Sequence, residues 1–446
     1  MKKGPIFPTV RKIIRWFFNR KTAFVLACLV AIVALFYAEE NWRGKRAWEK
    51  YKREAAAKGR PIELSAIIPP EVPDDQNFAM TPLFKPLVEE MNKPLAEYMK
   101  MTNATPGMTR FHAPFDAEPV DVLLHGEIKP SDQMAGRFFA APLVPGSPES
   151  KKAAREVLKE LERLEPVLNE LALASRRPYS RFPVQYQDGP AMLIVPHVGY
   201  LAIFSKLYAM RASANLELGR NEDAFADGMT GLRVAETLKE ESLLIPQLVR
   251  LKMLSISESV IWEGLAKEKW TDAQIVQIQD QLDRIEVLEN YVLANNGERV
   301  FLSCSLENIF KLSARERAKS LLAQYPIYSN EEYSVRICIL GMTSAEWVGF
   351  LMPKGVYYQN LVSINRLFDE TEATVNPKTH RIDVPPLQRY KGVLSKTPTT
   401  PYNFLAKFLT PATENAAPRF AFGQTSVDLA RVACALERYR LTHRRY

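Results

Sequence analysis

Hydrophobic and polar residues are unevenly distributed along the chain, and its longest uncharged run lies near the beginning. Residues 22–38 (TAFVLACLVAIVALFYA) are seventeen residues without a charge. Because a bilayer core about 30 Å thick needs about 17–25 apolar residues in a helix, this run predicts one transmembrane helix. Residues 39–60 are rich in strong helix formers and end at Gly-Arg, followed by proline, which predicts that the helix continues as a semi-rigid stalk.

The flanks of the apolar run predict an anchor that is not cleaved. The aromatic Tyr37 precedes Ala38, where a signal-peptide cleavage site requires small residues. Residues 1–21 contain seven Lys and Arg and no acid, and such a segment is difficult to translocate. We therefore expect 1–21 to be a cytoplasmic tail and 22–38 to lie in lipid. Anionic headgroups would contact the flanking Lys and Arg, and the rest of the chain would lie outside the cytoplasm.

The segment that follows, residues 61–148, contains fourteen prolines. Each proline removes a hydrogen-bond donor and restricts the residue before it, so long helices and strands are excluded. Apolar residues such as Ile67, Phe78 and Phe84 nevertheless occur throughout its first half. The segment is therefore predicted to be an arm with short helices that wraps over the main domain.

Helical periodicity dominates from residue 149 to residue 446. Apolar residues first recur at spacings of four, three, four and three at Val157, Leu161, Leu164, Leu168 and Leu171, with Pro166 expected to kink or restart the helix. Further helices are predicted over 200–218, 221–240, 243–265, from a Thr271–Gln274 capping box, and from near Thr425 to the end. The apolar run 334–352 predicts a buried core helix, and residues 376–419 an irregular stretch. The fold class is thus all-α, an irregular helical bundle or stack of hairpins.

One predicted helix pair resembles a known motif. Residues 214–238 (ANLELGRNEDAFADGMTGLRVAETL) are similar to a tetratricopeptide hairpin, with Gly219 ending the first helix and the small Ala224 five residues later. A second copy at the 34-residue period of such arrays is absent from the sequence. The resemblance therefore supports a helical stack and not a tetratricopeptide array.

Charge and composition exclude several classes of function. The net charge is +8, but residues 1–60 carry fifteen Lys and Arg against four Glu, so the rest of the chain is slightly acidic. A nucleic-acid surface should lie on the folded domain, and we expect none here. The sequence contains no zinc, phosphate-loop, dinucleotide or nucleophile-elbow motif, so no catalytic residue, metal or cofactor is predicted. One disulfide could form among Cys304, Cys338 and Cys434, and the sequence does not define which two would pair.

The richest candidate for a binding site is a connector between two predicted helices, residues 176–189. It contains five residues of types enriched at interfaces, which we predict as partner-binding: Arg176, Arg177, Tyr179, Arg181 and Tyr186. The alternative is structural, with arginines capping helix ends and aromatic rings filling the gap between helices. His197 is interpreted as a helix cap or a hydrogen-bonded core residue.

Four segments of the sequence resemble those of an uncharacterised family of membrane-anchored proteins from environmental bacteria. They are RPYSRFP, PHVGYLAIFSKLYAMRASANLELGRNEDAFAD, MPKGVYYQN and QTSVDLARVACALERYRLTHRRY. The resemblance implies a single-pass inner-membrane protein with a helical periplasmic domain, and a native chain that continues beyond Tyr446. The phrase ALERYRL is also similar to a helix end of pseudopilins. Neither resemblance supplies an activity or a site residue.

The sequence therefore favours a membrane-anchored scaffold or protein-interaction module of the bacterial envelope. Helical hairpins present surfaces to protein partners, and no constellation of residues requires chemistry. The alternative is an envelope hydrolase or carbohydrate-handling enzyme whose site residues are scattered along the chain.

Overall fold

The computed structural model describes residues 20–93, 146–188, 193, 195–317, 320, 351–383, 398–409 and 416–445. The helices within these ranges are α1 (Arg20–Ala57), α2 (Lys85–Met91), α3 (Pro148–Leu161), α4 (Glu165–Ala174), α5 (Pro196–Glu217), α6 (Asn221–Glu236), α7 (Leu244–Ala266), α8 (Asp272–Leu282), α9 (Val287–Lys311), α10 (Lys354–Glu372), α11 (Phe404–Leu409) and α12 (Ala416–His443). The antiparallel strands β1 (Val375–Asn376) and β2 (Arg381–Ile382) form a two-stranded sheet. The predicted all-α class is confirmed for these residues.

Helix α1 contains the predicted membrane span and its continuation in one piece. It is 38 residues long, and its apolar window is wholly exposed. Among the described residues, α1 alone is long and apolar enough to cross a membrane. The helix continues to Ala57, close to the end predicted near residue 60. It does not form the separate stalk that was predicted, because its residues Trp48, Tyr51 and Ala55 are buried in a core.

The C-terminal half of α1 is built into the domain. Its residues Trp48, Tyr51 and Ala55 are buried in a core shared with α9, α10 and α11. The contact with α10 is a backbone-to-backbone approach, because a Cβ on Gly44 would overlap Gly355 and a Cβ on Gly355 would overlap the backbone of α1. Only glycine permits such proximity.

Polar contacts hold the two helices in register. The side chain of Asn41 accepts a hydrogen bond from the backbone N–H of Gly355 at 2.9 Å, which satisfies a free donor in the first turn of α10. Near the other end of α1, the Tyr51 hydroxyl donates to Asp369 at 3.0 Å. The buried Arg299 of α9 reaches the Tyr51 hydroxyl at 3.2 Å and the Pro61 carbonyl at 2.9 Å.

The larger core lies under helices α3 to α9 and α12. Helices α5 and α6 form the predicted hairpin, with Gly219 at φ +75° in the turn. Helix α7 packs on both, and α12 packs on α7, α8 and α9. The predicted break at Pro166 is confirmed, since α3 ends at Leu161 and α4 begins at Glu165. The Thr271–Gln274 capping box is also present.

One predicted boundary is wrong. The last helix begins at Ala416, nine residues before the predicted start near Thr425. Pro418 was interpreted as part of an irregular stretch, but it lies in the first turn of α12, where a proline leaves no intrahelical hydrogen bond unmade. Other predictions fall outside the described residues: the tail to residue 19, the arm from 94 to 145, and the run 334–350.

The Gly44–Gly355 contact yields a direct test. We expect Gly44→Ala to lower the free energy of unfolding by about 1–3 kcal/mol, because α1 and α10 must separate to admit the methyl group. The measurement is thermal or denaturant unfolding of the full chain in detergent. Gly199→Ala is the matched control, since Gly199 is a helical glycine with open space around its Cβ position. This control should be neutral or stabilising by up to about 1 kcal/mol, and equal effects of the two changes would contradict the close contact.

Candidate functional site

The connector begins where α4 ends and runs beside residues 69–80 of the arm. The backbone N–H of Phe78 donates to the carbonyl of Tyr179 at 2.7 Å, and the two segments form a parallel bridge between Asn77 and Tyr179. The Asn77 side chain accepts from the Arg181 N–H at 2.9 Å and donates to the Arg181 carbonyl at 3.0 Å. The connector and the arm therefore form one unit.

Two of the predicted site residues hold the arm in place. The Arg177 guanidinium donates to the carbonyl oxygens of Asp74 at 2.9 Å and Asn77 at 2.7 Å. Arg181 donates through Nε to the Pro69 carbonyl at 3.0 Å. These bonds satisfy carbonyl groups in a proline-rich segment that cannot form a regular ladder.

The aromatic residues of the connector divide between the interior and the surface. Phe182 is buried against Phe78 and Phe84 and stacks on the His197 ring with centroids 4.1 Å apart. Tyr186 is buried as well, and burial together with the nearby Glu241 raises the pKa of its hydroxyl. Tyr179, by contrast, is 49% exposed.

His197 lies in the core, but it is not the hydrogen-bonded residue that we predicted. Its Nε2 atom is 3.3 Å from Oε1 of Glu241, and neither ring nitrogen forms a hydrogen bond with a described residue. Both side chains are almost completely closed off from solvent. An active site needs a cavity that admits substrate, so this pair does not by itself favour the enzymatic alternative, which remains a hypothesis.

The exposed side of the connector borders a cleft of about 290 Å³, here called the arginine cleft. Its walls come from the connector, the C-terminal end of α6 with the turn after it, and the end of α8 with the turn that follows. Of the five predicted site residues, the structure brings Arg177 and Tyr179 together here. Arg176 is exposed nearby, whereas Arg181 and Tyr186 face the arm and the core. Sequence reasoning missed the other cationic residues of the walls, Arg233, Lys239 and Arg284, because they are distant from the connector along the chain.

A second surface lies on α12. Five large side chains on one side of this helix are between 45% and 75% exposed: Phe422, Leu429, Val432, Leu436 and Tyr439, here called the exposed stripe. The opposite side of the helix is buried against α7, α8 and α9. Sequence periodicity did not reveal the stripe, because a helix that is apolar on two sides shows little amphipathic contrast.

An apolar groove of about 410 Å³ runs between α7 and α12 and begins beside Phe422. One acidic side chain, Glu258 of α7, lies in its wall and accepts a hydrogen bond from the Ser426 hydroxyl. Burial raises the pKa of the Glu258 carboxyl to about 7, against the opposing effect of the Ser426 bond.

Metal and disulfide chemistry find no support in the part of the chain that the structure describes. No group of three or more His, Cys, Asp or Glu side chains there could hold a metal ion. Cys304 and Cys434 are both free thiols, and Cys338 lies outside the described residues.

Comparison of the chain with protein-family models, with curated proteins and with solved structures found no significant match. The resemblance to a family of membrane-anchored proteins therefore stays an expectation.

The Glu258 site predicts a pH dependence of stability. Folding raises the pKa of the Glu258 carboxyl from 4.5 to about 7. Between these two pH values the carboxyl is protonated in the folded protein and ionised in the unfolded chain. Stability should therefore fall as the pH rises through this window. We expect Glu258→Gln to remove that loss and to stabilise the protein at pH 8 by about 2–3 kcal/mol.

The measurement is the melting temperature of the full chain from pH 5 to about 8, the range over which this carboxyl would ionise. Glu156→Gln, a change at an exposed carboxyl on α3, is the control and should leave the profile unaltered. Parallel profiles for the wild type and Glu258→Gln would show that Glu258 is charged in the folded state at acidic pH.

Proposed function

We propose that this protein is a membrane-anchored interaction module of the bacterial envelope, with its helical domain outside the cytoplasm. Helix α1 provides the support for anchoring, through its length and its exposed apolar residues. The basic residues before residue 22 support a cytoplasmic N-terminus. The observation that carries the interaction function is the exposed stripe on α12.

The exposed stripe has the spacing of a coiled-coil seam. Phe422, Leu429, Val432, Leu436 and Tyr439 follow one another at intervals of seven, three, four and three residues. This is the alternation of first and fourth heptad positions, by which one helix receives the side chains of another. Large apolar side chains arranged contiguously on a surface mark an interaction site more often than isolated ones do.

The partner that fits this surface is an α-helix with a matching apolar seam. Helix α12 has 28 residues and is therefore about 42 Å long, enough for several turns of contact. Its buried side, which includes Val427, Ala430 and Cys434, fixes it on the domain. A partner could therefore dock without any rearrangement of the core. We infer that this partner is a helix of another envelope protein.

A site-resolved crosslinking scan tests the proposal. A photo-reactive amino acid is placed in turn at positions 428 to 436 of the full chain in its native membranes. We expect adducts with another protein at Leu429, Val432 and Leu436, and few at the positions between them, because only the seam faces the partner. In a variant that combines the probe at position 432 with Leu436→Glu, the adduct should be lost, because the substitution places a charge in an apolar contact.

Leu173→Glu is the control, because Leu173 is also an exposed leucine and lies on α4 rather than on the helix that carries the seam. It should leave the Val432 adduct intact. Adducts of equal yield at every position would contradict a seam. Adducts only between copies of this chain would make the stripe a self-association surface and overturn the proposed function.

A further inference from the structure

The arginine cleft contains more positive charge than its acidic residues can neutralise. Four cationic residues line it: Arg177, Arg233, Lys239 and Arg284. Two glutamates, Glu236 and Glu240, line it as well. Glu236 is already engaged, because its Oε1 atom accepts from the buried Arg250 guanidinium at 2.7 Å. The carboxylate of Glu240 lies 4.0 Å from the ammonium of Lys239 on the exposed rim.

Arg233 is the cation at the centre of this imbalance. It is half-buried, and among the described residues its guanidinium donates to two neutral hydroxyl groups, Ser175 Oγ at 3.3 Å and Thr230 Oγ1 at 2.7 Å. No carboxylate among the described residues forms an ion pair with it. Burial, and secondarily the charge of Arg176, lower the pKa of Arg233.

Two neighbouring arginines have the carboxylate partners that Arg233 lacks, whereas the buried Arg299 of α9 is held by four neutral acceptors. Arg211 forms two hydrogen bonds with Asp227, at 2.9 and 2.6 Å. Arg250 pairs with Glu236. A desolvated guanidinium is normally compensated in this way, because leaving a buried charge unpaired costs several kcal/mol. Arg233 lacks that compensation, and its carboxylate partner is absent from the described part of the chain.

Further hydrogen-bond donors lie around the same space. The Ser180 hydroxyl oxygen is buried and forms no hydrogen bond with a described residue. Tyr179 lines the cleft with its ring half-exposed. Arg284 is exposed on the opposite wall, beyond α8, and no described carboxylate forms an ion pair with it. The donors therefore come from three separate segments of the chain.

We propose that the arginine cleft binds a phosphate monoester, with Arg233 as its principal ligand. A phosphate group carries close to two negative charges at neutral pH and three strong acceptor oxygens. It can therefore accept hydrogen bonds from donors that approach from several directions. A planar carboxylate is satisfied by one guanidinium and would leave the other cations of the cleft unneutralised. This inference does not depend on the proposed interaction through α12.

The test is binding of radiolabelled inorganic phosphate to the full chain in a non-ionic maltoside detergent, measured by equilibrium dialysis. We expect saturable binding at one site, weakened about tenfold or more by Arg233→Gln, the loss typical of a charge-assisted hydrogen bond. Arg155→Gln removes the same charge from an exposed position on α3 and should bind as the wild type does. Binding should also weaken as the salt concentration rises.

Arg284→Gln guards against a folding defect, because the exposed Arg284 side chain forms no hydrogen bond or ion pair with a described residue. Its loss should also weaken binding. Two outcomes would overturn the proposal: equal binding by the wild type and Arg233→Gln, or no saturable binding at millimolar phosphate. Displacement by citrate in preference to phosphate would replace the phosphate assignment with a carboxylate one, and would overturn it too.

Competition identifies the source of the phosphate group. Glycerol 3-phosphate should displace the label if the natural ligand is a soluble phosphate ester. The chain is also placed in phosphatidylcholine nanodiscs with and without phosphatidic acid. Displacement by phosphatidic acid alone would identify a lipid headgroup as the source.

Discussion

The contact between Gly44 and Gly355 fixes how helix α1 lies against the folded domain. It allows the backbones of α1 and α10 to touch, and Asn41 then reaches the first turn of α10. Because α1 also contains the long apolar segment, the contact joins that segment through a continuous helix to the core shared by α1, α9, α10 and α11. A linker of flexible sequence would let the domain rotate freely, whereas a continuous helix built into the core restricts the orientation of the domain relative to the apolar segment.

In the proline-rich arm, side chains from another segment supply the hydrogen bonds that the backbone cannot make with itself. Prolines prevent the arm from making a ladder of its own, so its carbonyl oxygens need donors from elsewhere. Arg177 and Arg181 supply them, and Asn77 returns two bonds to the connector. The arginines that marked the connector as a candidate site therefore have structural partners on one side. On the other side, Arg177 borders an unneutralised cleft.

Periodicity and capping signals were sufficient to predict the fold class, the break at Pro166 and the hairpin at Gly219, because each depends on neighbouring residues. The core position of Trp48 and the Gly44 contact were not predictable in the same way. They depend on α10, more than three hundred residues away. The same limit applies to the candidate sites. Tyr179 could be selected by residue type, but Arg233 becomes significant only once the structure shows that no carboxylate among the described residues pairs with it.

Helix α12 shows why two apolar faces on one helix carry functional information. A helix that only covers a core needs a single apolar side, with polar residues toward water. Here the side bearing Val427 and Cys434 meets that need, and the exposed stripe lies outside the buried core of the described residues. Exposure of Leu429 and Leu436 to water lowers the solubility of the protein and does not stabilise the fold. The simplest physical reason to retain such a stripe at heptad spacing is a second helix that covers it.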